Sequence, residues 1–205
     1  MTTTTSTGRR GLPAAGRRRR TARQVDLLDR LVALFAAEGF AEFTLDDLAA
    51  RLRCSKTSLY TLAGSKQELV TEAVKQYFRE SVPNVEAAVE AAGDGPGERV
   101  AAYLTAVGEY LEPLSREFVA DMAAFAPAAE VYRRNTAAAA DRIRELIAEG
   151  IKAGAFREVH AAFAAEMVAA TMFEIQRGEM FSRLELSDAE AYAELASLIV
   201  YALTA

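Results

Sequence analysis

Apolar residues recur at helical spacing along most of the chain, and polar residues fill the positions between them. From Leu27 to Phe35 the apolar side chains lie three and four residues apart, and Gly39 follows where a helix would end. Thr44 and Asp47 have the spacing of a capping box, ahead of another apolar stripe. The pattern therefore predicts a long first helix that ends at Gly39 and a short second helix that begins after Thr44.

A second short helix is predicted after the turn formed by Arg53 and Cys54. Ser55 can cap this helix, and Leu59 lies four residues later, where it points inward. A further capping box at residues 65–68 opens a longer helix, predicted from about residue 66 to 81. A short exposed helix behind a tight turn has the shape that fits the DNA major groove. Its outward-facing side chains are Lys56, Thr57, Ser58 and Tyr60.

The combined spacing of four motifs over residues 21–70 is more specific than any one of them. These motifs are Leu34-Phe35 with Gly39-Phe40, Phe43 to Leu45 with Leu48-Ala49, Ser55-Lys56 with Leu59-Tyr60, and Ser65-Lys66 with Glu68-Leu69. With these motifs the chain resembles the TetR family of bacterial transcriptional repressors. It departs from the family at Leu62-Ala63, where an aromatic pair is usual, which would loosen the packing behind the second short helix.

Composition agrees with an all-α protein, because 51% of residues are hydrophobic, Pro numbers only 5 and Trp is absent. We predict a disordered basic arm at 1–20, a three-helix helix-turn-helix DNA-binding domain at 21–82, and a helical ligand-binding and dimerisation domain at 83–205. Pro83 and the glycine-rich loop at 93–97 are expected to break the chain after the DNA-binding domain. The helices predicted in the last domain span about 98–111, 114–125, 128–153, 160–181 and 187–203.

Net charge differs between the two halves of the chain. Residues 1–82 hold 14 Lys and Arg against 9 Asp and Glu, and residues 83–205 hold 10 against 20. A cationic front half suits a protein that contacts DNA at one end, although a split of this size also arises by chance. Arg9-Arg10 and Arg17 to Arg20 make the first segment basic. The arm either follows phosphates or the minor groove, or it is a solvated tail.

Roles within the helix-turn-helix follow from chemistry and from the resemblance. Side chains at the start of the second short helix reach base edges or phosphates, and Thr44 stands at a helix N-terminus that suits an anion. The resemblance implies that Tyr60 and Lys66 hold the DNA backbone. The predicted DNA-binding residues are Thr44, Arg51, Arg53, Ser55, Lys56, Thr57, Ser58, Tyr60 and Lys66.

The resemblance also implies that the last domain dimerises and binds a small effector. Its final two helices would pair with their copies in a four-helix bundle. The candidate seam consists of Phe163, Ala164, Met167, Val168, Ala170, Thr171, Leu195, Leu198, Ile199 and Ala202. The candidate ligand-binding residues are Tyr103, Val107, Tyr110, Phe118, Met122, Phe125, Met172, Phe173 and Gln176. Few charges interrupt these faces, which favours an apolar ligand, while plain core packing is the alternative for each residue.

Several other classes of protein lack support in the sequence. The chain has one His and one Cys, too few for a typical zinc site, and His160 is expected at a helix start as a surface or capping residue. No phosphate-binding glycine loop precedes a lysine, so no catalytic residue, metal or cofactor is predicted. No apolar run is long enough for a membrane span, and a single cysteine suits the cytoplasm.

These observations predict a dimeric, ligand-responsive repressor that binds a pseudo-palindromic operator. A regulator whose last domain binds a protein partner is the nearest alternative. A protein that binds anionic membranes through the arm, and an all-α enzyme, are more distant alternatives.

Overall fold

The structure, a computed structural model, describes residues 20–178, 184 and 186–204. Within these residues the chain forms nine α-helices and no strand, so the predicted all-α class is confirmed. The predicted basic arm lies outside the described residues except for Arg20, whose guanidinium is 2.9 Å from a carboxylate oxygen of Glu72. The helices are α1 Ala22–Glu38, α2 Leu45–Arg51, α3 Lys56–Tyr60, α4 Lys66–Ala91, α5 Pro96–Leu111, α6 Arg116–Ala124, α7 Ala126–Lys152, α8 Ala161–Arg177 and α9 Asp188–Thr204.

Helices α1 to α3 and the start of α4 enclose one small core. Phe35, Leu48 and Leu59 come from three different helices and are at most 1% exposed. The predicted capping box of Thr44 and Asp47 is present at the start of α2. Ser65 caps α4 by accepting the Glu68 N–H, but the Glu68 carboxylate accepts the N–H of Gly64 instead of closing a box.

Helix α4 continues through Pro83 to Ala91, so the prediction that it ends near residue 81 is wrong. Proline in a helix interior costs about 3 kcal/mol through its missing N–H and its steric clash. Val85 and Val89, beyond the proline, are at most 5% exposed, and their burial offsets this cost. The Asn84 side chain also donates to the Glu80 carbonyl. The predicted domain boundary after residue 82 therefore falls inside one continuous helix.

The remaining helices extend the same buried core, which continues from α1 to α9. Helix α5 lies directly on α9 because Gly108 has no side chain, and a Cβ there would come within 2.7 Å of Tyr192. Leu104 of α5, Ile147 of α7 and Val168 of α8 are fully buried in this part of the core. Pro127 stands in the first turn of α7, where the missing N–H has no helical partner to lose. Helix α8 ends at Arg177, before the predicted 181, because Gly178 adopts a left-handed conformation with φ of 72°.

Candidate nucleic-acid interface and ligand cavity

Helices α2 and α3 form the predicted helix-turn-helix. The turn closes through backbone hydrogen bonds from Arg53 to Ala50 and from Cys54 to Ala49, with Arg53 at a φ of 49°. In α3, Leu59 is 1% exposed and anchors the helix on the core. The predicted outward face is confirmed for Lys56, Thr57 and Tyr60, whereas Ser58 is half-buried.

Some predicted DNA contacts already have partners within the chain. Arg51 makes two hydrogen bonds of 2.7 and 2.6 Å to the Glu38 carboxylate and lies 5.6 Å above the Phe43 ring. The Lys56 ammonium lies 2.7 Å from a carboxylate oxygen of Asp46. That hydrogen bond raises the pKa of Lys56. Exposed pairs of this kind contribute little stability, so DNA phosphate can compete with Asp46.

Of the other predicted contacts, Thr44 and Ser55 make capping hydrogen bonds within the chain, and Arg53 differs from them. Thr44 is exposed but engaged, because its hydroxyl hydrogen-bonds the Asp47 carboxylate; the Thr44 bonds lower the pKa of Asp47. Ser55 accepts the Ser58 N–H as the cap of α3. Arg53, in contrast, is an exposed cation with no ion-pair partner among the residues that the structure describes.

Sequence reasoning missed two residues that hold this unit against α1. The Gln24 side chain donates to the carbonyl of Thr61 at 3.1 Å, just after α3. Arg30 donates to the carbonyl of Leu52, in the turn between α2 and α3. Both partners are backbone atoms far along the chain, and no local spacing signals such contacts. These bonds fix the orientation of α3 relative to α1.

A second unpredicted contact joins the loop after α1 to α6. One carboxylate oxygen of Asp121 accepts the backbone N–H groups of Phe40 and Ala41 at 2.5 and 2.8 Å. We call this pair of bonds the Asp121 clasp. The Phe40 ring meets Phe118 edge-on at 5.8 Å, which adds an apolar contact between the same elements. Lys66, a predicted DNA contact, donates to the Ala41 carbonyl at 2.8 Å, so the clasped loop also touches the start of α4.

Gly39 makes the clasp possible, and its replacement by alanine is expected to destabilise the protein. Its φ is +75°, and a Cβ there would lie 2.7 Å from the Asp121 carboxylate. We expect the free energy of unfolding to fall by about 1–3 kcal/mol in urea denaturation. Gly93→Ala is the matched control, because its φ is +80° and no atom lies within 4 Å of the added Cβ. An equal loss of unfolding free energy in both variants would show that the close contact between a Cβ at residue 39 and the Asp121 carboxylate adds no destabilisation.

A cavity of about 680 Å³ lies between α6, α7 and α8. Three predicted ligand-binding residues line it: Met122, Phe173 and Gln176. A smaller cavity of about 170 Å³ is lined by Tyr103, Val107, Met172 and again Phe173. Tyr132, Thr136 and Phe173 line both cavities, and the ring centroids of Tyr132 and Phe173 are 6.0 Å apart.

Three other predicted ligand-binding residues lie outside both cavities. Phe118 is 2% exposed and packs between Phe40 and Tyr77. The Tyr110 hydroxyl donates to the Tyr77 carbonyl at 2.7 Å. Phe125 stacks edge-on against Phe40 and lines a separate cavity of about 380 Å³ beside the clasp. Helical spacing marks all three as inward-facing, but it does not distinguish core from cavity wall.

Helices α8 and α9 expose a set of large apolar side chains. Phe163, Met167, Leu198 and Tyr201 are 66%, 53%, 65% and 73% exposed, and we call them the α8–α9 outer face. Val168 and Leu195, predicted for the dimer seam, are instead buried in the chain's own core at 0% and 8% exposure. Tyr201 was absent from the predicted seam, although it lies three residues after Leu198 and so shares its face.

Three further findings concern the residues that the structure describes. No group of three or more His, Cys, Asp or Glu side chains among them could hold a metal ion. No helix in the same ranges has both the length and the apolarity to cross a membrane. His160 caps α8 as expected, with its Nδ1 accepting the N–H of Phe163 at 3.2 Å.

Residues 27–73 match the family model of bacterial regulatory proteins, tetR family. Solved structures similar to the chain include a TetR transcription regulator from Haloarcula marismortui, with a TM-score of 0.75 and 16% identity over 89% of this chain and 98% of that one. The TetR family transcriptional regulator PfmR from Thermus thermophilus has a TM-score of 0.60 and 23% identity over 85% and 97%. The fatty acid degradation regulator FadR from Bacillus halodurans has a TM-score of 0.70 and 13% identity over 89% and 97%. No curated protein sequence matches the chain.

Proposed function

Because the chain belongs to the TetR family of transcriptional regulators, we propose that it is a dimeric repressor that a small, mainly apolar effector releases from its operator. The observation that carries the proposal is the arrangement of α3, the Asp121 clasp and the larger cavity. The clasp joins α6, which lines the cavity that suits a ligand, to the loop after α1, and α1 in turn holds the exposed helix that suits a DNA groove.

Helix α3 supplies the DNA contacts of this proposal. Lys56, Thr57 and Tyr60 are exposed along five residues whose orientation is fixed by buried Leu59. Arg53 adds a cation at the preceding turn, and Lys66 adds another at the start of α4. These side chains would bind phosphates and base edges, as the recognition helix of a helix-turn-helix does.

The α8–α9 outer face supplies the dimer contact. Its four large apolar side chains are exposed on two long helices that pack against each other, and exposed apolar side chains of this kind mark an interaction site. Two copies would bury the face against itself around a two-fold axis. The dimer would then hold two α3 helices against two half-sites of a pseudo-palindrome.

The clasp supplies a route from effector to DNA. Val119 and Met122 of α6 line the larger cavity, and Asp121 stands between them in sequence with its carboxylate on the loop after α1. A ligand that displaces α6 would move that loop and, through α1, the orientation of α3. DNA affinity would fall by the difference in ligand affinity between the two arrangements.

The test of the DNA-binding part is selection from a random duplex pool by the purified full chain. We expect enrichment of a two-fold symmetric site, with affinity about thirtyfold lower for a Lys56→Ala, Tyr60→Ala variant, since phosphate contacts are lost in both half-sites. Lys152→Ala is the control, because it removes the same charge at the exposed end of α7. Steeply salt-dependent binding without an enriched site would contradict sequence-specific regulation.

The effector part needs a second measurement on the selected operator. A screen of apolar compounds against the complex is expected to yield at least one that lowers DNA affinity. One of the similar structures is a fatty acid degradation regulator, so acyl compounds are screened first. If no compound acts, and a protein partner changes DNA affinity instead, the alternative regulator would be supported.

A further inference from the structure

Gln176 is the one buried polar side chain among the described residues that lacks a full set of partners. The residue is 3% exposed, and its Nε2 atom has no hydrogen-bond acceptor. A buried donor without a partner costs as much as a lost hydrogen bond, and few native groups are left in this state. Such an atom calls for a partner that the chain itself does not supply.

The Gln176 side chain lines the larger cavity, so a bound molecule can supply that partner. Nearby wall residues are apolar, among them Met122 and Phe173. The Thr136 hydroxyl in the same wall already donates to the Tyr132 carbonyl at 3.1 Å. No wall residue accepts a hydrogen bond from Gln176 Nε2.

The Tyr192 hydroxyl is another polar group near Gln176. It points to the Met172 carbonyl at 3.5 Å. Burial raises the pKa of Tyr192, and the nearby Gln176 side chain acts in the opposite direction. Gln176 Nε2 nevertheless makes no hydrogen bond of good geometry with Tyr192 or with any other group among the described residues. The chain therefore leaves this amide donor unpaired.

The two arginines that line this cavity are each paired with a carboxylate of the chain. Arg133 is exposed and engaged with Glu130, whose pKa is lowered by Arg133 and Arg134. Arg177 pairs with Glu174 at 3.7 Å and lies 5.8 Å from the Phe173 ring. Glu166, also in the lining, is an exposed acid. A carboxylate beside Gln176 would lose its hydrogen bonds to water and gain only one hydrogen bond from a neutral donor. Its burial there would therefore be unfavourable.

We infer that the larger cavity takes a neutral, mainly apolar molecule with a carbonyl acceptor, such as a ketone or an ester, which accepts a hydrogen bond from Gln176 Nε2. The inference rests on the proposed function, whose effector it narrows to one chemical class. The apolar wall binds the body of the molecule, and the single buried donor selects its acceptor.

The test uses three molecules of nearly equal shape, each a naphthalene with one substituent at the β position. Acetylnaphthalene carries a neutral acceptor, isopropylnaphthalene carries none, and naphthoate carries a charge. Their binding to the full-length protein is measured by equilibrium dialysis with naphthalene fluorescence as the readout. Gln176→Met is the main variant, because methionine has nearly the same length and no donor. Gln176→Glu is a second variant that replaces the donor with an acceptor.

We expect acetylnaphthalene to bind wild type more tightly than naphthoate. In Gln176→Met its affinity should fall about tenfold relative to that of isopropylnaphthalene, which serves as the internal control for folding and cavity volume. In Gln176→Glu the relative fall should be at least as large. An unchanged ratio, or naphthoate binding as tightly as acetylnaphthalene, would overturn the inference and leave the effector function standing. Binding of none of the three would count against both.

Discussion

Replacing Leu198 and Tyr201 with glutamate is expected to leave the protein folded but monomeric, and to lower its operator affinity by about two to three orders of magnitude. Both side chains lie on the α8–α9 outer face and are more than half exposed, so the chain's own core does not depend on them. Four like charges would meet across the two-fold axis of a dimer. Without the dimer, each α3 binds its half-site alone and loses the gain from linked binding.

The measurements are sedimentation velocity for the oligomeric state and titration of a labelled operator for affinity. Ala148→Glu with Lys152→Gln is the matched control, because it makes the same change of net charge at exposed positions of α7. The control is expected to remain dimeric, with affinity within a few-fold of wild type. A glutamate variant that stays dimeric would show that another surface forms the interface.

Local chemistry accounts for what the sequence predicted well. The box of Thr44 and Asp47, the Ser55 cap and inward Leu59 depend on residues within four positions of one another, and all are present. A helix-turn-helix is built from such short-range signals. The predicted α3 therefore has the start and the exposed face that the structure shows, apart from half-buried Ser58.

Long-range packing accounts for what the sequence did not predict. In the sequence Pro83 indicates the end of a helix. Helix α4 nevertheless continues through it, because the burial of Val85 and Val89 stabilises the turns that follow. Val168 and Leu198 both read as apolar positions on the last helices, but only tertiary packing decides that one is core and the other exposed. The clasp joins Asp121 to residues 80 and 81 positions earlier, a separation at which no periodicity operates.

The cavity is a second example of the difference between local sequence pattern and long-range packing. Periodicity places Phe118, Phe173 and Gln176 alike on inward faces of their helices. The structure fills the space around Phe118 with other rings and leaves space beside the other two. Cavities are what remains after all side chains have packed, so the pattern of one helix cannot specify them. Gln176 is the sole amide among the ligand-binding candidates, and its polarity is what distinguishes it in the structure.

Replacing Asp121 with alanine is expected to abolish the effector's control of DNA binding while the protein still binds both DNA and effector. Coupling energies between sites are typically about 1–3 kcal/mol, so DNA affinity should change by up to about a hundredfold with effector in wild type. The variant should show a change of less than about threefold, since removing the carboxylate leaves α6 without its bonds to Phe40 and Ala41.

The measurement is operator affinity with and without a saturating effector found by the screen, alongside effector affinity in the absence of DNA. Asp121→Asn is the graded control, because its amide oxygen can still accept a hydrogen bond and should retain part of the coupling. Effector binding itself should be unchanged, because Asp121 lies outside the lining of the larger cavity. Full control of DNA binding in the alanine variant would show that the signal leaves the cavity by another route, such as α4, which packs against α1 as well as α5 and α7.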